Sequence, residues 1–121
     1  MKLLAIILML IPSVAFGETI TYICDYSSYS DVEGNHKVKE KFVLNFIVDS
    51  KTEKGYLLGN QGSSEVTVLQ TEDKISFLEV TGTGNLMTTA IDSKSNSVHS
   101  RNTVILGDLM PSQYYGKCQI K

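Results

Sequence analysis

Two short stretches near the ends of the chain decide its fold: TITYICDY, residues 19–26, and QYYGKCQI, residues 113–120. Each contains one of the only two cysteines in the chain, Cys24 and Cys118. Apolar and polar side chains alternate along the first stretch, which is typical of a β-strand, and the second stretch is predicted to be the last strand. A disulfide requires two Cα atoms within about 7 Å of each other. A bond between these cysteines would therefore make the first and last strands neighbours.

Residues 1–17 have the three parts of a secretory signal peptide. They contain a basic start at Lys2, an apolar run over residues 3–11, and small side chains at Ala15 and Gly17. The apolar run is shorter than the roughly 20 residues that span a bilayer, so we expect cleavage and no membrane anchor. Export leads to an oxidising compartment, which favours the disulfide. We therefore expect a periplasmic or secreted protein.

The rest of the chain, residues 18–121, is predicted to be a single β domain. Removing 17 of the 121 residues leaves 104, which is enough for one hydrophobic core. Residues 27–37 are rich in Ser, Asp, Gly and Asn and are predicted to form a loop. Eight strand-like segments separated by turn sequences cover residues 19–26, 38–49, 55–59, 65–71, 74–80, 86–92, 97–106 and 113–120.

Short connections between successive strands favour an antiparallel meander of about eight strands. The first and last strands of an open meander are its two edges, so a bond between Cys24 and Cys118 requires the sheet to close. We predict an all-β fold with a small closed or nearly closed barrel, and keep a two-sheet β-sandwich as the alternative. The interior is predicted to be filled by Phe42, Leu44, Phe46, Val66, Val68, Ile75, Phe77 and Ile91.

The charge balance bears on possible partners. The chain has 11 basic and 13 acidic residues, and removal of Lys2 with the signal leaves 10 against 13, a net charge of −3. This balance argues against nucleic acid or an anionic membrane as the partner.

Few residues are candidates for chemistry. His99 and Arg101 share one face of the seventh predicted strand, and the preferred interpretation is a solvated or hydrogen-bonded strand face. The functional alternative is an anion or carboxylate site around Arg101, the only arginine, because its planar fork suits bidentate recognition. With both cysteines in a disulfide and the two histidines far apart, we expect no metal site. We also expect no cofactor and no catalytic residue, because no phosphate-binding glycine loop or nucleophile elbow is present.

Four of the six tyrosines lie where the first and last predicted strands should meet. Tyr26 and Tyr29 lead into the first predicted loop, while Tyr114 and Tyr115 begin the last strand. In an antiparallel pair these positions lie at the same end. The sequence therefore predicts an aromatic rim that could bind a ligand or partner, since tyrosine combines a rigid apolar ring with a polar tip.

The C-terminal third resembles small exported bacterial proteins of unassigned function. The resemblance rests on Ile91 and Asp92, on VHSR at residues 98–101, and on PSQYYGKC at residues 111–118. It implies no activity, cofactor or catalytic residue. It does imply a bacterial, periplasmic or secreted setting with the disulfide intact.

Three hypotheses of function follow from these features. The first is a non-catalytic binding or interaction module, whose partner is an unknown protein or small ligand. The second is a structural component of the cell envelope. The third is a small enzyme that uses His99 and Arg101. The sequence leaves the oligomeric state open.

Overall fold

The protein is all-β in the computed structural model, which describes residues 18–59 and 62–121. The predicted signal segment, residues 1–17, lies outside the described residues. The strands are β1 (Thr19–Asp31), β2 (Gly34–Asp49), β3 (Gly55–Gly59), β4 (Gly62–Gln70), β5 (Lys74–Val80), β6 (Leu86–Asp92), β7 (Asn96–Asn102), β8 (Val104–Ile105), β9 (Asp108–Leu109) and β10 (Ser112–Ile120).

Eight of these strands form a closed antiparallel barrel in the order β1, β10, β7, β6, β5, β4, β3, β2. The first and last strands are neighbours, with Cys24 directly opposite Cys118, and the two side chains form a disulfide. The predicted barrel is therefore confirmed, and the sandwich alternative is wrong. The bond closes a sequence separation of 94 residues and suggests an oxidising, non-cytoplasmic environment.

The predicted loop over residues 27–37 is wrong. Strand β1 continues to Asp31 and β2 already begins at Gly34, so only Val32 and Glu33 lie between them. A bulge after Tyr26 shifts the register, and β1 then pairs with both β2 and β10 as far as its end. Pairing on both sides satisfies the backbone of this polar segment, which outweighs its loop-like composition.

The predicted seventh strand is too long. Strand β7 ends at Asn102, and the chain then forms a separate two-stranded hairpin from β8 and β9. The Met110 N–H donates to the Thr103 carbonyl at 2.8 Å and closes this hairpin at its base. It projects from the end of the barrel where β1 turns into β2. We call this end the crown end and the opposite end the basal end.

The core lies inside the barrel. Five of the eight predicted interior residues are buried, and Phe42, Leu44 and Val68 are partly buried against them. Phe46 and Phe77 stack at 4.2 Å between ring centroids and fill the centre. The core also takes in the disulfide and two tyrosines of β1, Tyr22 and Tyr26.

Candidate functional site

The strand register brings distant polar and aromatic residues together just inside the crown end. His36 on β2 lies opposite Tyr29 on β1, Tyr29 opposite Tyr114 on β10, and Tyr114 opposite His99 on β7. The next pair along the row is His99 and Thr89 of β6. One row of cross-strand neighbours therefore crosses five strands, because the barrel closes β1 onto β10.

Five rings of this region form what we call the aromatic cluster: Tyr29, His36, Phe42, His99 and Tyr114. Tyr29 stacks on Tyr114 with centroids 5.0 Å apart, and His36 lies 4.9 Å from Tyr29. Phe42 meets Tyr114 edge-on at 4.8 Å. Edge-on and offset contacts of this kind add to the energy of simple burial, so the cluster holds its shape.

The guanidinium of Arg101 lies against this cluster. Its central carbon is 5.0 Å from the ring centroids of both Phe42 and Tyr114, a cation–π arrangement. Its Nε donates a hydrogen bond to Nε2 of His99 at 3.2 Å. Within residues 18–59 and 62–121 no carboxylate lies within 4.0 Å of this guanidinium. The terminal N–H groups of the fork are therefore available to an anion.

His99 orients this arginine as a neutral ring. It is only 3% exposed, and because Nε2 accepts from Arg101, the proton lies on Nδ1 and is donated to Thr89 Oγ1 at 2.8 Å. Burial, together with the charge of Arg101, lowers the pKa of His99 from 6.5 to about 4. Of the preferred sequence interpretation, a solvated or hydrogen-bonded strand face, His99 fits the hydrogen-bonded form and not the solvated one. Both ring nitrogens are occupied, which suits a positioning role.

The four predicted rim tyrosines occupy three different environments. Tyr29 and Tyr114 stack together as described above, in agreement with the predicted approach of the two strands. Tyr26 is 1% exposed, so its prediction as a rim binding residue is wrong. Tyr115 points to the outer wall of the barrel, where it donates to Gln113 Oε1 at 3.0 Å.

Tyr26 is buried because of a glycine on the next strand. Its hydroxyl hydrogen-bonds to Ser97 Oγ at 2.8 Å on β7, across Gly116 of β10. A Cβ built on Gly116 would lie 2.7 Å from the Tyr26 Cα and would overlap the carbonyl oxygen of Asp25. The glycine therefore allows the close approach of β10 to β1. Burial raises the pKa of Tyr26 to about 12, partly offset by the Ser97 bond.

Sequence reasoning missed His36 and Thr89 as members of this site and placed Phe42 only in the core. His36 falls within residues 27–37, which the sequence predicts as a loop. Its Nε2 lies 2.8 Å from Oδ1 of Asp31, and this hydrogen bond is the main cause of the lowered Asp31 pKa. A hairpin signal in residues 27–37 would have placed His36 opposite Tyr29, but the polar composition of the segment hid it.

Exposed apolar side chains surround the same end of the barrel. Within the described part of the chain, nine of the twelve large exposed apolar residues lie there. We call this set the apolar crown: Val32, Leu58, Val80, Leu86, Val104, Ile105, Leu106, Leu109 and Met110.

Leu106 is the tip of the crown and is 98% exposed. Ile105 pairs with Asp108, so Leu106 and Gly107 are the two central residues of the β8–β9 turn. Both have positive φ, 53° and 85°, as in a type I′ turn. This backbone favours Asn or Gly at the Leu106 position, and leucine there combines backbone strain with full exposure.

Family models, curated proteins and solved structures were compared with the chain, and none matches it. Within the described residues there is no group of three or more His, Cys, Asp or Glu side chains placed to hold a metal ion. The same residues contain no helix long and apolar enough to cross a membrane. The functional argument therefore rests on the crown end and on the cleft described below.

Proposed function

We propose that this chain is an exported, non-catalytic interaction module that docks a protein partner with its crown end. The observation that carries the proposal is Leu106, a fully exposed leucine at a strained turn position. Strain of this kind is retained where surrounding structure and function demand it. The partner surface that fits is apolar and carries a carboxylate, because the fork of Arg101, which pairs with no carboxylate among the described residues, lies at the same end of the barrel as the apolar crown.

Acidic side chains at the crown end favour a protein over a lipid surface as the partner. Exposed apolar patches by themselves mark interaction sites for proteins and for membranes alike. The crown end also has two exposed acidic residues, Glu33 beside Val32 and Asp108 beside Gly107. Anionic headgroups would be repelled by these acids at the loop tips, whereas a protein surface can place a basic group opposite each of them.

The proposed location is the periplasm or the extracellular space. The disulfide supports an oxidising compartment. The signal-like pattern of residues 1–17 supports cleavage and export through the secretory route.

The test is capture from the cell-envelope fraction with the purified, disulfide-bonded protein as bait, read by quantitative mass spectrometry. Leu106→Asn relieves the turn strain, so we expect it to raise the free energy of unfolding by up to about 1 kcal/mol and still to lose the partner. Arg101→Lys keeps the charge but removes the planar fork, and we expect it to weaken capture at least tenfold.

The matched control is Leu69→Asn, because Leu69 is also an exposed leucine, at 61% against 98% for Leu106, but lies at the basal end. We expect this variant to capture the partner as the unaltered chain does. If Leu69→Asn and Leu106→Asn capture the same proteins in the same amounts, docking by the crown end is rejected.

A further inference from the structure

A large cleft opens at the basal end, opposite the crown. It has a volume of about 810 Å³, within the range of small-molecule sites. Its floor is formed by Ile20, Val48 and Val68, which are partly or fully buried apolar side chains of β1, β2 and β4. The stacked pair Phe46 and Phe77 separates this cleft from the aromatic cluster. The two ends of the barrel are thus distinct sites.

Tyr22 supplies a polar atom in the apolar part of this cleft. Its side chain is 6% exposed and its ring packs edge-on against Phe77, at 5.7 Å between centroids. Unlike the Tyr26 hydroxyl, its hydroxyl has no hydrogen-bond partner among the described residues, and it opens to the cleft. Burial raises its pKa, so the phenol stays protonated and can both donate and accept.

The charged side chains that line the cleft are all acidic: Asp49, Glu53 and Glu72. No ion pair joins any of them to a basic group within residues 18–59 and 62–121. Asp49 already accepts a hydrogen bond from the Lys51 N–H at 2.9 Å through one oxygen. The two glutamates, whose side chains make no hydrogen bond within the described residues, are therefore the freer of the three to contact a cation beside the apolar floor.

The geometry points to a binding site for an amphiphilic ammonium ion. Its apolar body would lie on the apolar floor of the cleft, and its cationic head near Glu53 and Glu72. The hydroxyl of Tyr22, which opens to the cleft, can accept from an ammonium N–H. A bare metal ion fits less well, because it requires converging oxygen ligands in place of an apolar floor. This inference is independent of the docking proposed for the crown end.

Three probes with the same alkyl chain differ only in the charge of the head group: octylammonium is cationic, octanol neutral and octanoate anionic. Titration calorimetry on the disulfide-bonded protein should show octylammonium binding at least tenfold more tightly than octanol, and octanoate more weakly than both. Amide chemical shifts should move at Val48 and Val68. Equal affinity for the three probes, or shifts confined to the crown end, would overturn the assignment.

Variants then locate the head group. Glu53→Gln combined with Glu72→Gln should weaken octylammonium about tenfold and leave octanol unchanged, because only the cation senses the lost charge. The matched control, Glu33→Gln combined with Asp108→Asn, removes the same charge at the crown end and should change neither affinity. If both double variants lose the same octylammonium affinity, the net charge of the protein explains the loss. A specific site at Glu53 and Glu72 is then rejected.

Discussion

Lowering the pH should destabilise this protein through His99 before its carboxylates are protonated. The ring is neutral in the fold, with a pKa of about 4 against an ordinary value of 6.5. Between pH 6.5 and pH 4, the side chain of His99 binds a proton in the unfolded chain but not in the folded chain. The free energy of unfolding therefore decreases as the pH falls below about 6.5, and the loss is complete near pH 4.

The size of the loss follows from the pKa difference. Each unit corresponds to about 1.4 kcal/mol, so His99 accounts for about 3 kcal/mol over the whole window. The linkage relation gives a loss of about 2 kcal/mol between pH 7.5 and pH 5. For a domain of this size that lowers the midpoint of thermal unfolding by about 10 °C. The ring is 3% exposed, so solvent screening reduces this figure little.

The assay is chemical denaturation at half-unit pH steps from 7.5 to 4.5, for the unaltered chain and for His99→Gln. The glutamine cannot titrate, so we expect its pH profile to be flatter by about 2 kcal/mol at pH 5. The difference between the two profiles removes the contribution of every other group that titrates equally in both. Parallel profiles, or an NMR titration that places the His99 pKa at 6.5 or above, would refute the buried neutral ring.

Three further changes test the packing beneath the site. Replacing both cysteines with alanine should lower the free energy of unfolding by about 4 kcal/mol, because the bond closes a separation of 94 residues, as measured by urea denaturation. Gly116→Ala should lower the free energy of unfolding by about 3 kcal/mol or prevent folding, because the added Cβ meets backbone atoms of β1. The control is Gly82→Ala, which has open space around it and should change the free energy of unfolding by no more than about 0.5 kcal/mol in the same assay. Tyr26→Phe should cost about 1 to 2 kcal/mol, because Ser97 Oγ loses its buried partner, and a double cycle with Ser97→Ala measures the coupling.

Cysteine pairing and strand alternation were sufficient to predict closure of the barrel, because one covalent bond between the first and last strands excludes an open sheet. The end of β1 was not predictable in the same way. Residues 27–31 are mostly polar, and their strand conformation comes from pairing with β2 and β10, which lie far away in sequence. Local composition contains no signal of such pairing.

The site shows the same limit at the level of single side chains. Strand periodicity correctly placed His99 and Arg101 on one face. It could not tell which face was inside, because histidine and arginine are more often exposed than buried. The inward orientation depends on Thr89 of β6, which offers His99 a buried hydrogen-bond acceptor. The burial of His99 depends on a residue of another strand, so it can be predicted only when the pairing of the strands is known.

The two ends of the barrel have opposite chemistry and share one strand. Tyr26, Cys24 and Tyr22 alternate along the inner face of β1, so the disulfide lies between the tyrosine beneath the crown end and the tyrosine in the basal cleft. The stacked pair Phe46 and Phe77 fills the interior between the two sites, and a packed core transmits little motion unless it has two discrete arrangements. Substitutions at one end should therefore leave binding at the other end unchanged, whereas reduction of the disulfide releases β1 from β10 and should impair both.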